Sequence, residues 1–433
     1  MSIQLKAGVG RRDITPAIGG QLMGYRPDHL SKSINDRLRV TAALFCQGDI
    51  KVMLVSAEVC LIQTKLSEKI RALITAETGV PHIILSATHT HSGPNTAGMA
   101  GWGDIDSEYC DSIFLPRIVE AAREAAKTLK PVLLGIGTVQ SKVGINRRQH
   151  NSDGSITLGQ NPWGLSDKTM TVLRFSEPSG EPVISIVHYG AHCTAAGMNT
   201  EITRDWPGVM IERLEIESGG PVMFINGAQG DVGPRLSNGS TTGDISHVRE
   251  IGGLAALDAV NAWRNAKNTK IPSLSVIEGE INLPLKPRLT PEQAKKGLAD
   301  TANDEVNISG QTLKFYKSII EAYEKKIPEE TCLTIPQTLI AFGDTVLVPF
   351  PFEIFSGISL RLREYSPFLH TLCLGCTNGS HLYLPTQDQL CLGGYEVDVF
   401  RTGRVEAFAD DTDQNIISEN LRLLKELYMS IDA

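Results

Sequence analysis

No stretch of this 433-residue chain comes near the roughly eighteen consecutive apolar residues that a membrane-crossing helix needs. The opening MSIQLKAGVGRR lacks an apolar core behind a basic end, so no leader peptide is expected and a cytoplasmic protein is read. Basic residues are not concentrated anywhere: 41 Lys and Arg stand against 49 Asp and Glu, a net charge of −8, and no basic block interleaves with aromatics. A nucleic-acid groove is therefore excluded. Cysteine is sparse, eight residues without a repeating spacing, which fits reduced thiols in a cell interior and not a disulfide framework. Cys373 and Cys376 form one CxxC inside the apolar run FLHTLCLGC; with no second pair to complete a four-sulfur site, burial is the favoured reading. Repeats and low-complexity linkers are absent as well.

What is present is an ordinary globular composition arranged in alternation. The runs KVMLVSAEV, HIILSATH, PVLLGIGTV, MTVLRF, VISIVHYG, PVMFING, QTLIAF and TVLVPF read as strands, several buried on both faces. Between them, helical periodicity covers 63–77, 111–129, 206–217, 247–266, 353–364 and 413–429. This predicts an α/β protein with mixed β-sheets flanked by helices, a single domain over 1–433. Residues 286–331 are Lys/Glu-rich and helical in pattern (TPEQAKKGLAD, FYKSIIEAYEKK) and predict a helical insertion, read first as cover for a sheet edge and second as a lid.

Four segments can carry chemistry. In Ser86-Ala87-Thr88-His89-Thr90-His91-Ser92-Gly93-Pro94, a strand persisting through Thr90 puts His89 and His91 on one face at a strand's carboxyl end, where α/β sheets place ligands. Two imidazoles there suit a metal, and they equally suit plain hydrogen bonding. His192 also sits where a strand becomes a loop, and alone such a histidine is more often structural. In Asn226-Gly227-Ala228-Gln229-Gly230-Asp231-Val232-Gly233-Pro234, glycines permit either a tight turn or a nest of backbone N–H groups for an anion. Glu353 is read as opening a helix, where the dipole favours a carboxylate whether or not it has another role. Tyr383 and Tyr395 flank a loop, and by chemistry alone each is a core or surface aromatic.

Taken in order, these segments resemble the neutral (non-lysosomal) ceramidase family in its N-terminal catalytic domain. The likeness starts with Ala7-Gly8-Val9-Gly10-Arg11-Arg12-Asp13-Ile14-Thr15-Pro16, Met23-Gly24-Tyr25 and Arg37-Leu38-Arg39. It continues through ATHTHSGP, Ile145-Asn146-Arg147, the run Asp167 to Phe175, the His192 segment, NGAQGDVGP, Pro351-Phe352-Glu353 and the two tyrosines. The resemblance implies a zinc ion held by His89, His192, Glu353 and Tyr383, with His91, Arg147 and Tyr395 facing the scissile group and Asp231 in the active-site loop. Such ligands leave a position for water, whose pKa zinc lowers from 15.7 to about 7. It further implies a hydrolase acting on an amide or related acyl bond, with backbone N–H groups of the 227–233 loop, Gly230 and Gly233 among them, helping to hold the oxyanion.

Departures from the family pattern bear on the substrate. Where the family has GDVSPN, with a serine regarded as catalytic, this chain has Gly233, and Arg235 replaces the following asparagine. Neither the family's appended immunoglobulin-like domain nor its export signal is expected here, and Arg204-Asp205-Trp206-Pro207-Gly208 replaces DNKGYA. If Arg147, Arg204 and Arg235 converge, a small polar or anionic substrate is expected in place of a long acyl chain. An ester, lactone or carbohydrate-derived substrate, or a non-catalytic zinc protein, are the other readings. No nucleic acid or membrane partner is expected, and assembly into a homo-oligomer stays open.

Overall fold

The protein is described by a computed structural model covering residues 4–99, 101–270, 272–301 and 308–431. Each apolar run noted above is a strand, and three sheets collect them. The first orders His82–Ala87, Ile50–Ala57, Arg39–Gln47, Lys6–Asp13 and Lys130–Pro131. The second orders Val222–Asn226, Pro182–Tyr189, Thr169–Ser176, Leu133–Gln140 and Lys267–Lys270, and the third Leu274–Pro284, Cys332–Phe342, Thr345–Pro349 and His370–Leu374. Strand alternation sends side chains to two faces. Along Arg39–Gln47, Ala43 and Phe45 point to a core shared with the other two sheets, while Val40, Ala42 and Leu44 point to covering helices.

The three sheets meet on one phenylalanine each. Phe45, Phe175 and Phe342 pack with ring centroids 4.6, 4.9 and 5.4 Å apart. All three are buried, and full burial of such a side chain contributes about 1.5–3 kcal/mol. Outside, Thr64–Thr78 and Leu115–Lys127 cover the first sheet, Trp206–Ser218 and Ile245–Asn265 the second, and Ser356–Tyr365 with Thr412–Ile431 the third. Helix 111–129 begins with a short π-helical stretch, Cys110–Phe114. Among the described residues no helix is long and apolar enough to cross a membrane.

Each sheet contains a parallel pair near one end: Ile50–Ala57 with His82–Ala87, Pro182–Tyr189 with Val222–Asn226, and Thr345–Pro349 with His370–Leu374. The loops leaving these pairs carry the candidate residues. Residues 285–331 are an excursion between Leu274–Pro284 and Cys332–Phe342, which pair antiparallel from end to end. It holds the helices Pro291–Thr301 and Ile308–Glu324, and part of the expected insertion, 302–307, lies outside the described residues. One reading is corrected. Glu353 does not open a helix: Glu353–Ile354 is a two-residue strand parallel to Tyr383–Leu384, and the helix starts at Ser356.

Candidate metal centre

His89 does not extend a strand, as the shared-face reading required. The strand ends at Ala87, and His89 adopts φ +73°, a left-handed conformation. Its backbone N–H donates to Val59 O at 2.9 Å. The turn nonetheless brings the histidines together, with His91 Nε2 3.3 Å from His89 Nε2. Gly24 makes this possible: its φ of +128° and the space a Cβ would need, 2.3 Å from His91 Nδ1, admit only glycine beside that ring. His192 arrives from the second sheet, its ring centroid 4.6 Å from that of His89. Asn226 ties the two loops, donating from Nδ2 to Thr88 O and Ala191 O, both at 3.0 Å, and accepting from Ala191 N at 3.2 Å.

Glu353 and Tyr383 enter as register partners. Gly230 lets the glycine-rich loop stack on them, since a Cβ there would lie 2.4 Å from Glu353 O. Glu353 Oε2 stands 3.0 Å from His192 Nε2 and 3.2 Å from His89 Nε2. Tyr383 Oη is 3.2 Å from His192 Nε2 and accepts from Arg147 Nη2 at 2.8 Å. All four side chains are buried.

The donor set fits a divalent cation. His89 Nδ1 donates to Cys60 O at 2.9 Å and His192 Nδ1 to Gln229 O at 2.7 Å. Those carbonyls fix the tautomers, leaving a lone pair on each Nε2. Glu353 Oε2, buried, accepts no hydrogen bond from either. Three lone-pair atoms thus face one another within 4.8 Å. Tetrahedral zinc contacts of about 2.0–2.2 Å put neighbouring ligand atoms roughly 3.3–3.6 Å apart, close to these separations.

Charge agrees with geometry. Burial opposes ionisation of Glu353, but His89 and His192 outweigh it and hold the carboxyl well below its usual range. Burial also disfavours charge on His89, yet Glu353 lifts it well above an ordinary imidazole. His192 is pushed down to about 3 by burial and by Arg147, and His91 well down by burial, His89 and His192. The carboxylate therefore calls for one positive charge at the point where the nitrogens meet.

The remaining predicted residues divide. Arg147 and Tyr395 join the site: Arg147 Nε donates to Glu396 Oε1 at 2.8 Å, and the Tyr395 ring lies 5.5 Å from that of Tyr383 and 6.2 Å from Trp102. Asp231 serves as an anchor, accepting from Ser356 N and Oγ at 2.8 Å each. The expected anion nest loses three donors, because N–H groups of Gly227, Gly230 and Val232 donate to Tyr189, Ile354 and Gln229 carbonyls. The three arginines do not converge. Arg204 is held by Asp36 at 2.6 Å and by Glu212, while Arg235 is exposed. Gly233 faces elsewhere too: a Cβ would lie 2.6 Å from the Thr241 side chain.

Sequence reading missed Glu396, which also accepts from Arg148 Nη1 at 2.8 Å, and missed Cys60 and Cys376, whose sulfurs lie 3.8 and 3.7 Å from His89 Nδ1. The adjacent arginines 147 and 148 on a buried strand were a usable signal, since two buried guanidiniums require a carboxylate.

Fold and site define an α/β protein built on three main sheets, with a buried two-imidazole, one-carboxylate centre suited to a divalent cation. The sequence model "neutral/alkaline non-lysosomal ceramidase, N-terminal" matches residues 5–246, more than half of the chain, and the chain belongs to that family. Neutral ceramidase A of Dictyostelium discoideum is 30% identical over 210 residues, 43% of this chain and 28% of that protein. Neutral ceramidase B of the same organism is 28% identical over 265 residues, 55% and 36% respectively. The chain thus matches about a third of the length of these relatives. Among solved structures, neutral ceramidase from Pseudomonas aeruginosa superposes with a TM-score of 0.76 at 20% identity, covering 99% of this chain and 75% of that one. A structure of "Ceramidase complexed with C2" gives 0.74 at 18% identity, covering 98% and 76%. These likenesses establish the fold.

Proposed function

We propose that the chain is a zinc-dependent hydrolase that cleaves an amide (N-acyl) or related acyl bond; with the three arginines apart, the expected preference for a small polar or anionic substrate loses its support. One observation carries this: His89 Nε2, His192 Nε2 and the orphaned Glu353 Oε2 meet, in a member of the ceramidase family, with each imidazole's other nitrogen committed to a carbonyl. His89, His192, Glu353 and Tyr383 would hold the ion. When bound, zinc supplies Lewis acidity and brings water to a pKa of about 7.

The other side chains have separable tasks. Glu396 fixes the Arg147 guanidinium, which donates to Tyr383 Oη and brings positive charge to where an oxyanion develops. With the Gly227, Gly230 and Val232 amides spent, that stabilisation is assigned to Arg147 and the Tyr395 hydroxyl. His91, with Nδ1 unpartnered and Nε2 3.3 Å from His89 Nε2, and the Tyr395 hydroxyl are the groups placed to move protons. Tyr25 and Trp102 stand beside His91 and Tyr395 and narrow the approach with flat rings. All eight cysteines are free thiols, which supports a cytoplasmic setting.

Metal analysis of the wild type and His192→Ala tests the reading. The wild type is expected to carry one zinc per chain and to lose hydrolysis on chelation, with a panel of N-acyl, ester and lactone substrates sorting the bond. His192→Ala with full zinc occupancy and an unchanged rate would overturn it.

A further inference from the structure

The helix Ile308–Glu324 does not lie flat on the domain. Between it and the body runs a cleft of about 790 Å³, and Gln311, Lys314 and Ser318, spaced to share one face of the helix, line it. The opposite wall includes Gln63, Thr64 and Lys65 at the start of the helix Thr64–Thr78. None of the proposed metal ligands lines this space. Leu382, which precedes Tyr383 in the chain, is the nearest covalent link.

The acidic groups in the cleft are all committed. Glu406 accepts from Arg288 Nε at 2.6 Å, Glu330 from Arg404 Nη2 at 3.0 Å, and Glu321 from Lys325. The donors are not. Lys65 and Lys314 have no partner among the described residues, and Arg404 Nε is buried without one. Gln311 is only 7% exposed, and its amide makes no hydrogen bond to any described residue. The helix Thr64–Thr78 begins without a side-chain cap and without an acid in its first turn, so its first N–H groups and the positive end of its dipole are also unspent. Burial and Arg404 push His381 down to about 4, and Arg288 and Arg404 are paired with Glu406 and Glu330, so the unpaired positive charge in the cleft rests on Lys65 and Lys314.

We propose that this cleft binds a small molecule through an oxyanion, a phosphate or carboxylate group, held between the start of the helix Thr64–Thr78, Lys65 and Lys314, with the Gln311 amide and Arg404 Nε completing its contacts. The site is separate from the hydrolytic centre and does not rest on the function proposed for it.

Isothermal titration of the full chain at low salt with inorganic phosphate, and separately with citrate, tests this. Saturable one-to-one binding of phosphate is expected for a phosphoryl ligand, and of citrate for a carboxylate. The exposed, unpartnered lysines allow Lys65→Glu with Lys314→Glu to fold, checked by an unchanged Tm, and binding should weaken roughly tenfold or more. Gln311→Leu should weaken it less. Chelator treatment should leave binding intact, which separates this site from the metal centre. Failure of both probes to bind, equal binding by the double lysine variant, or loss of binding on chelation would each overturn the proposal.

Discussion

Gly233 shows how a side-chain direction decides what a substitution means. Its place in the chain is that of a serine the family carries, yet its missing Cβ points at Thr241, which is buried, and the strand Val232–Pro234 fixes that direction by pairing with Gly144–His150. A hydroxyl added there cannot reach the histidines without moving backbone. Gly233→Ser is therefore expected to lower stability by about 1–3 kcal/mol through overpacking and to leave hydrolysis without a gain. Denaturant melts and N-acyl assays on the purified variant check both halves; a stable variant with new amidase activity would contradict the geometry. The thiols beside His89 follow the same logic of environment. Burial pushes Cys376 up to about 11, so it stays a thiol against the imidazole.

Among elements, the parallel pairs matter most, because their carboxyl ends aim loops from different sheets at one point. Asn226, fully buried, closes the first two onto each other. Replacing Asn226 with Ala removes the side-chain partners of the Ala191 N–H and carbonyl and leaves the Thr88 carbonyl only the Cys193 thiol at 3.1 Å, at about 1–3 kcal/mol for each buried group left unpaired. Zinc occupancy should fall with stability, because the His89 and His192 loops lose their tie; a variant retaining both would show that the loops hold themselves. Strands and long helices were legible because apolar runs and 3.6-residue periods are written locally. Glu353 was misread because a two-residue strand has no period, and its apolar followers Ile358 and Leu362 carry a helical pattern that starts only at Ser356. His89 and His91 were rightly paired for the wrong reason, a left-handed turn doing what a pleat was expected to do. That Arg204 would be claimed by Asp36 and Glu212 is set by long-range packing, which spacing does not encode.

For the molecule as a whole, the same packing leaves carboxyls buried away from the metal centre, and these set a pH dependence. Burial pushes Glu58 up to about 7, against the opposing charge of Arg204, and pushes Asp205 and Asp231 up to about 6 against hydrogen bonds from Ala196 and Ser356. In the unfolded chain such groups titrate near 4, so between about pH 4 and 7 each of these three carboxyls is more protonated in the folded state than in the unfolded one. The stability these carboxyls contribute therefore falls as pH rises across that window, whole below about pH 4 and gone above about pH 7, while His192, His91 and His381, held down by burial, act in the opposite sense. Each carboxyl accounts for on the order of 3 kcal/mol at most. Glu58→Gln isolates one share, since the amide can still accept the Arg39 N–H at Glu58's position but cannot titrate. Urea melts at pH 5 and pH 8 should show the wild type losing stability relative to Glu58→Gln at the higher pH, the gap between them being the Glu58 contribution. Equal drops in the two proteins would mean that Arg204 keeps Glu58 ionised throughout, and that the ion cluster of Arg204, Asp36, Glu58 and Glu212 is a permanently charged strut beneath the site.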